Sequence, residues 1–188
     1  MTFARDADAT RKRILDAAAV EFAAFGIAGA RIDRIAENAH ANKAMLYRYF
    51  ESKDELFNQV FSAHVVAFVD AVHFDPIDLP GYAGRLFDSY QDNPMTLRLT
   101  HWYQLERPDG APLQVLVAAN AEKLTGIADA QARGVITARY TPMAVLALVR
   151  SIAMAWNNLT PELGKEITEN RGEQRASVVQ ATRRLLST

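Results

Sequence analysis

The stretch NKAMLYRYF, residues 42–50, places two tyrosines on either side of an arginine. At about 100° per residue of helix, Leu46 and the phenylalanine four residues later point in one direction, and Arg48 points in the opposite one. Tyr47 and Tyr49 lie on the two flanks, each about 80° from the apolar direction. Arginine binds guanine edges or phosphates, and phenols donate hydrogen bonds to phosphates. The pattern therefore fits a helix that lies in a DNA major groove.

The same two tyrosines also fit a second interpretation, in which they are half-buried residues of an ordinary short amphipathic helix. The segment before them favours the first interpretation. Residues 31–50, RIDRIAENAHANKAMLYRYF, have the pattern of a helix, a tight turn and a second helix. That is the layout of a DNA-binding helix-turn-helix.

Four segments in order between about residues 10 and 60 resemble the tetracycline-repressor (TetR) family of bacterial transcriptional regulators. They are RILDAA, EFAAFG, IDRIAENA and NKAMLYRYFESKDEL, and they have the family's spacing. The resemblance implies a helix-turn-helix at residues 31–50 and a recognition helix from Asn42 to Phe50. It also implies phosphate contacts from Tyr47, Tyr49 and Lys53. Family members act as homodimers on palindromic operators, and most are repressors that a small ligand releases from DNA.

The helix geometry and the resemblance together predict a set of DNA-contacting residues. They are Arg31, Asn42, Lys43, Ala44, Met45, Tyr47, Arg48, Tyr49 and Lys53. The chain departs from the family pattern at two positions. His40 stands where a turn glycine is common, and histidine tolerates a positive φ better than most residues. Ala30 stands where a threonine usually caps the second helix, and Arg31 is the expected substitute.

Helical periodicity continues along the whole chain, so the expected fold class is all-α. Gly26 predicts the end of the first helix, and Ser52 with Glu55 predicts the start of the fourth. The segment FDPIDLPG, residues 74–81, is the clearest break. We expect a three-helix DNA-binding domain at residues 1–55 and a larger helical domain for ligand binding and dimerisation at residues 56–188.

Composition narrows the possible classes of function. Hydrophobic residues make up 49% of the chain, enough for a real core, and the absence of cysteine excludes disulfides and thiolate metal sites. The net charge of −1 does not indicate a nucleic-acid partner, so a basic patch must come from segregation onto one face. No signal peptide is apparent, and the longest apolar run, residues 143–156, is too short to span a bilayer. We expect a cytoplasmic protein with no membrane partner.

Catalytic motifs are absent from the sequence. It contains no H-E-x-x-H, no nucleophile elbow and no phosphate loop, so an enzyme is not expected. The remaining histidines show no shared ligand spacing, so neither a metal nor another cofactor is expected. A third interpretation keeps the helical fold but removes sequence-specific DNA binding, leaving a ligand-binding or interaction module.

The second half of the chain contains aromatic and polar side chains that are candidates for a ligand cavity. They are Phe68, Phe87, Tyr90, His101, Trp102, Tyr103, Asn120 and Asn157. Their helical spacing with leucines is equally typical of a core. The expected ligand is a mostly apolar small molecule that acts as inducer.

The helix that starts at Pro142 is expected to reach about Asn157, and a last helix is expected from about Glu166 to Leu186. The helix at Pro142 is apolar around its circumference and carries a row of small residues. Such a helix must be covered on all sides, and a second subunit is the natural cover for one of them. We therefore expect a homodimer with a four-helix bundle across a twofold axis. The expected interface residues are Ala144, Ala147, Ser151, Ala155, Val178, Val179, Thr182 and Leu186.

Overall fold

The computed structural model describes residues 2–107 and 112–187 of the 188-residue chain. It is 78% helical, with no strand in the described part, so the all-α prediction is confirmed. The helices are α1 Thr2–Gly29, α2 Ile32–Asn38, α3 Lys43–Tyr49, α4 Lys53–Ala71, α5 Leu79–Asp92, α6 Pro94–Glu106, α7 Gln114–Ala132, α8 Pro142–Met154, α9 Pro161–Gly164 and α10 Arg171–Leu186. A 3-10 turn, Ala155–Asn157, follows α8.

The chain divides into two compact units. The first consists of Met1–Ala67 and Pro94–Pro112, and the second consists of Phe68–Asn93 and Leu113–Thr188. This division differs from the boundary expected after residue 55, because α6 packs along α1 and joins the first unit.

Aromatic side chains form the core of the first unit. Phe22 of α1 lies edge-on to Phe57 of α4, with ring centroids 5.2 Å apart. Phe57 stacks on Phe61 at 5.6 Å, and Phe61 stacks on Tyr103 of α6 at 4.6 Å. Full burial of such rings is worth about 2 kcal/mol each or more. This core fixes the positions of the helices that support α2 and α3.

Helix α1 is interrupted at Gly26, and the backbone groups that lose their helical partners there bond to side chains of α6. The backbone of Gly26 has φ 73° and ψ −177°, and one further helical turn follows it. In an uninterrupted helix the N–H of Ile27 would bond to the carbonyl of Ala23. The break separates the two groups, and α6 binds both. The Glu106 carboxylate accepts from the N–H groups of Ile27 and Ala28 at 3.2 and 2.7 Å.

The freed carbonyl of Ala23 accepts two bonds from the same helix. Arg98 Nε donates to it at 2.8 Å, and Trp102 Nε1 donates to it at 3.2 Å. Gly26 was predicted to end the first helix. The chain does leave helical geometry there, but it resumes the helix as far as Gly29 because α6 caps the new turn.

The second unit is built around α5, which packs against both α8 and α10. Leu79, Phe87 and Val149 are fully buried in it. Gly84 brings α5 and α10 close together, since a Cβ atom at this position would lie 3.0 Å from Val179 Cγ2. Arg175 Nε on α10 donates to the Asp88 carboxylate on α5 at 2.7 Å.

Two helix boundaries in the second unit differ from the sequence prediction. The last helix was expected from about residue 166 and begins at Arg171. Asn170 sets this start, because its side chain accepts from the N–H of Glu173 and the Glu173 carboxylate accepts from the N–H of Asn170. The helix at Pro142 was expected to reach Asn157. It ends at Met154 and passes into the 3-10 turn.

Two kinds of feature are absent from the part of the chain that the structure describes. Within residues 2–107 and 112–187, no helix combines the length and the apolar character needed to cross a bilayer. Over the same residues, no three His, Cys, Asp or Glu side chains come together in a way that would hold a metal ion.

Candidate nucleic-acid interface

Helix α3 presents the face that the helical periodicity predicts. Leu46 and Phe50 are buried, with exposed fractions of 0% and 1%. On the other side, Met45 is 37% exposed and Tyr47 is 45% exposed. Arg48 is also exposed. The burial of Leu46 therefore sets the rotation of the helix and turns Arg48 towards solvent.

The entry to α3 is set by the turn before it. Asn42 caps the helix, because its Oδ1 atom accepts from the backbone N–H of Met45 at 2.7 Å. The amide NH2 of Asn42 then remains available for a phosphate. His40 has a φ of 51°, the left-handed geometry that the family's glycine usually provides at this turn. The expectation that histidine would adopt it is confirmed.

Helix α1 holds the turn and the end of α3 in place. The guanidinium of Arg11 lies over the Phe50 ring, 5.5 Å from its centroid. Arg13 Nε donates to the carbonyl of Ala39 at 3.3 Å, at the C-terminal end of α2. Neither arginine was among the predicted DNA-contacting residues. In the structure both stabilise the packing of α1 against the turn and the end of α3.

The buried carboxylate of Glu21 fixes the start of α2. Glu21 is 4% exposed and accepts from the backbone N–H of Arg31 at 2.8 Å. Its carboxylate also accepts from Arg34 Nε and Nη2, the shorter of these bonds being 2.6 Å. Burial alone would raise the pKa of Glu21, but the bonds from Arg34 and from the backbone of Arg31 outweigh it and lower the pKa.

Arg31 is the N-cap residue of α2, and its side chain makes no capping bond, so it does not replace the missing threonine as a cap. The contact with DNA expected of Arg31 stays a prediction. The start of α2 is stabilised instead by Glu21, whose carboxylate accepts from the backbone N–H of Arg31. Its position left no local sequence signal, since Glu21 lies ten residues before Arg31.

Replacing Glu21 with glutamine is expected to lower the free energy of unfolding by about 1–2 kcal/mol at neutral pH. The amide keeps the shape but loses the charge-assisted bonds to Arg34. Because the folded-state pKa of Glu21 is lowered, the carboxylate stabilises the fold above its unfolded pKa. This contribution disappears as the pH falls through the lowered pKa. Urea unfolding of the wild type and of Glu21→Gln at several pH values measures it.

Glu37→Gln is the matched control, because Glu37 is exposed on α2. We expect this variant to unfold at the same urea concentration as the wild type. An equal loss of stability in both variants, or a loss for Glu21→Gln that does not diminish at low pH, contradicts the proposed role of the carboxylate.

Lys53 has a structural contact beside its predicted contact with DNA. Its ammonium donates to the carbonyl of Ala28 at 3.1 Å and lies 3.4 Å from the carbonyl of Ala30. These bonds connect the start of α4 to the loop between α1 and α2. An ammonium has three donors, so one remains for a phosphate. The phosphate contact of Lys53 stays a prediction.

The cations near α3 differ in how they are paired. Lys43 Nζ lies 3.2 Å from Asp33 Oδ1, and both side chains are exposed. Such a pair contributes little and yields readily to a phosphate. Among the residues that the structure describes, neither Arg48 nor Tyr47 has a side-chain hydrogen-bond or ion-pair partner. Donors of this kind on an exposed helix face suit DNA backbone and base-edge contacts.

The geometry agrees with what the chain is similar to. The bacterial regulatory protein model of the tetR family matches residues 14–60, and the tetracyclin repressor-like C-terminal domain model matches residues 78–184. An HTH-type transcriptional repressor of Streptomyces coelicolor, SCO4008, is 39% identical over 97% of this chain and 98% of its own length. The chain belongs to the TetR family. It is a DNA-binding transcriptional regulator.

Two further relatives of this TetR-family chain match it over different lengths. SCO4942 of Streptomyces coelicolor, described as a transcriptional regulator, has a crystal structure that matches with a TM-score of 0.85 and 40% identity, covering 94% of this chain and 98% of the other. The HTH-type transcriptional repressor NicS of Pseudomonas putida is 44% identical over 64 residues, which is 34% of this chain and 30% of NicS.

The structure distributes the candidate ligand residues of this TetR-family chain over both units. Trp102 and Tyr103 pack in the first unit, where Trp102 bonds to α1 and Tyr103 stacks on α4. His101 is half-buried on the same helix. We therefore leave α6 out of the proposed ligand site. The candidates in the second unit are Phe68, Phe87, Tyr90, Asn120 and Asn157.

The candidates in the second unit differ in what they contact. Phe68 stacks on Tyr90 at 5.1 Å, and Phe87 is fully buried. Asn157 has a buried side-chain nitrogen without a hydrogen-bond partner among the described residues. Asn120 is half-buried on α7. Only Phe68, Tyr90 and Asn157 therefore have features that a ligand would use.

Three of the expected dimer-interface residues are corrected by the structure. Val178, Thr182 and Leu186 have exposed fractions of 2%, 0% and 7%, because α10 turns this side towards α5. Val179 is half-buried near Gly84. Val178, Thr182 and Leu186 fill the core of a single chain, so they are left out of the proposed dimer surface.

The row on α8 remains available for a partner. Ala147, Ser151 and Ala155 are exposed, and Ala144 is half-buried. Met143 and Leu148 on the same helix are 60% and 38% exposed. One side of α8 is therefore uncovered within a single chain, and the cover expected from a second subunit stays a prediction.

Proposed function

We propose that the chain is a homodimeric repressor that inserts α3 of each protomer into the major groove of a palindromic operator and leaves the DNA when a small molecule binds the second unit. The observation that supports this most is the exposed face of α3, with Arg48 and Tyr47 unpaired among the described residues and Leu46 buried beneath them. The names of the two curated relatives support the repressor assignment.

Selection of binding sites from random duplexes tests the operator part of the proposal. We expect an enriched inverted repeat whose half-sites lie about one helical turn apart or slightly more. A single asymmetric site would contradict binding as a symmetric dimer. No enrichment over the starting pool would contradict sequence-specific binding and favour the ligand-binding module without DNA recognition.

The dimer surface that we propose is the exposed side of α8. It carries the small residues Ala147 and Ser151 one turn apart, next to the exposed Met143 and Leu148, and the exposed Ala155 follows at the start of the 3-10 turn. Small residues allow a second helix to approach closely, and the larger apolar chains give area to bury. Helix α10 adds its exposed side, which includes Ser177 and Ala181.

Replacing Ala147 with glutamate is expected to convert the dimer into a monomer at micromolar concentration. An unpaired carboxylate in the centre of an apolar interface costs several kcal/mol per subunit, which exceeds the loss that a micromolar dimer tolerates. Light scattering measures the mass directly. The control is Ala128→Glu, the same change at an exposed position of α7.

Ala128→Glu is expected to keep the mass of a dimer and the helical content of the wild type. A wild-type protein that is monomeric at micromolar concentration would contradict the proposed surface. So would an Ala147→Glu protein that stays dimeric, because the substitution lies at the centre of the row.

A further inference from the structure

The second unit contains a cluster of cations and phenols between α5, α7 and α8. Helix α8 packs against both α5 and α7, and the charge of its Arg150 acts on the pKa values of Tyr82 and Tyr90 on α5 and of Lys123 on α7. Both tyrosines are buried, with exposed fractions of 3% and 6%, and both cations are half-buried. Three different helices therefore direct hydrogen-bond donors to one place.

Neither of the two cations of this cluster forms an ion pair among the described residues. Across residues 2–107 and 112–187, no carboxylate lies within salt-bridge distance of Arg150 or Lys123. Lys123 donates instead to the carbonyl of Ala119 at 3.3 Å. Burial, and then the charge of Arg150, lower the pKa of Lys123, with Glu122 acting weakly in the opposite direction. Two like charges in a partly desolvated place destabilise each other, and an anion between them would relieve both.

The phenols of the cluster are suited to donate hydrogen bonds to an anion. Burial raises the pKa of Tyr82 to about 12, although the charge of Arg150 acts against it. Burial also raises the pKa of Tyr90. Both hydroxyls therefore keep their protons at neutral pH. A protonated phenol can donate its hydrogen to a neighbouring carboxylate.

Aromatic rings surround the polar cluster on two sides. Phe74 lies under Lys123, 5.9 Å from its Nζ atom, and edge-on to Tyr82 at 5.0 Å. On the other side Phe68 stacks on Tyr90 at 5.1 Å. These surfaces suit an apolar body attached to a charged head group.

Three buried polar atoms without a partner also belong to this unit. Among the described residues, nothing bonds to Arg85 Nη2 or Ser89 Oγ on α5, or to Asn157 Nδ2. Asn157 lies seven residues after Arg150, about two helical turns further along the same chain segment. Buried polar groups are rarely left unbonded, so a ligand is a natural partner for them.

We propose that the second unit binds an amphipathic carboxylate, whose head group lies between Arg150 and Lys123 and accepts hydrogen bonds from Tyr82 and Tyr90. Its apolar body contacts Phe68 and Phe74. This ligand is mostly apolar, as expected from the sequence, and carries a negative charge in addition. Its role as the inducer rests on the proposed function.

Calorimetric titration of the full-length protein in the absence of DNA tests the site. The probes are decanoate, decyl phosphate, the neutral decanamide and the cationic decyltrimethylammonium, all below the concentrations at which they form micelles. The proteins are the wild type, Arg150→Met, Lys123→Met and Tyr90→Phe. Lys165→Met is the control, because Lys165 is exposed and its loss changes the net charge equally.

We expect decanoate to bind the wild type and Lys165→Met alike. Its Kd should rise about tenfold or more in Arg150→Met, since one charge-assisted contact pair is lost. Lys123→Met and Tyr90→Phe should each raise the Kd several-fold. The three site variants test the same site independently, so the test still holds if one of them fails to fold. The Kd of decanamide should differ less than twofold between all five proteins.

Several results would overturn the carboxylate site. They are no binding of decanoate to the wild type, an unchanged Kd in all three site variants, or tighter binding of the cationic probe. Decyl phosphate that binds more tightly than decanoate would replace the carboxylate with a phosphate head group.

A separate gel shift with the selected operator keeps this test distinct from that of the proposed function. Decanoate that binds in the calorimeter but leaves the operator complex intact refutes the inducer role and retains the site. A chain that binds no operator refutes the proposed function, whatever the titration gives.

Discussion

Replacing Gly26 with alanine should lower the free energy of unfolding of the first unit by about 3 kcal/mol or more. Its backbone has φ 73° and ψ −177°, a region that is open almost only to glycine and costs other residues about 1–3 kcal/mol. The added Cβ atom would also overlap the Glu106 carboxylate and lie 2.8 Å from Trp102 Cε3. Displacing Glu106 would leave the N–H groups of Ile27 and Ala28 without their acceptor. Urea unfolding followed by the fluorescence of Trp102, in a Trp156→Phe background, measures the change.

Gly134→Ala separates backbone strain from the steric overlap. Gly134 has a comparable φ of 69°, but nothing lies within 4 Å of the Cβ position. We expect this control to lose only about 1 kcal/mol, the cost of the left-handed conformation. Equal losses at the two glycines would contradict the role assigned to α6 in capping the broken helix.

Replacing Arg48 with alanine should weaken operator binding by about 1–3 kcal/mol and reduce the ratio of operator to scrambled-duplex affinity. Arg48 is exposed opposite the buried Leu46, so it points to the floor of the groove if α3 lies in it. The variant loses a bidentate contact with one base pair of the operator. The wild type does not make this contact with other sequences, so its affinity for the scrambled duplex changes less. Binding of wild type and variant to both duplexes over a series of salt concentrations measures the effect.

Tyr47→Phe is the matched comparison, because Tyr47 lies on the flank of the same helix and loses only a hydroxyl. We expect it to weaken binding to both duplexes equally, by about 1 kcal/mol for one phosphate contact. If Arg48→Ala behaves in the same uniform way, Arg48 contacts the backbone. Base reading would then fall to Lys43, Ala44 and Met45.

The features that could be predicted from the sequence are those with a local cause. The orientation of α3 follows from a single apolar pair, Leu46 and Phe50. The caps at Asn42 and Thr141 follow from side chains that accept from the backbone of the next turn. The positive φ of His40 follows from a turn too tight for an ordinary residue.

The features that could not be predicted depend on contacts between distant parts of the chain. Glu21 caps α2 from the preceding helix, and Glu106 caps a turn of α1 across 78 positions or more. Helical periodicity shows which side of a helix is apolar, but it does not show which element packs against that side. Val178 and Leu186 were therefore expected at a dimer interface, although they cover α5 within the chain.

The central claim is that α3 lies in the major groove of the operator, and one cleavage experiment tests it most directly. The chain has no cysteine, so Glu51→Cys places a single thiol on an exposed residue at the end of α3. An iron chelate attached there should cut the selected duplex in two clusters, one per half-site and about one helical turn apart. Uniform cutting, or the same pattern from a chelate on Ala128→Cys, would contradict the placement of α3.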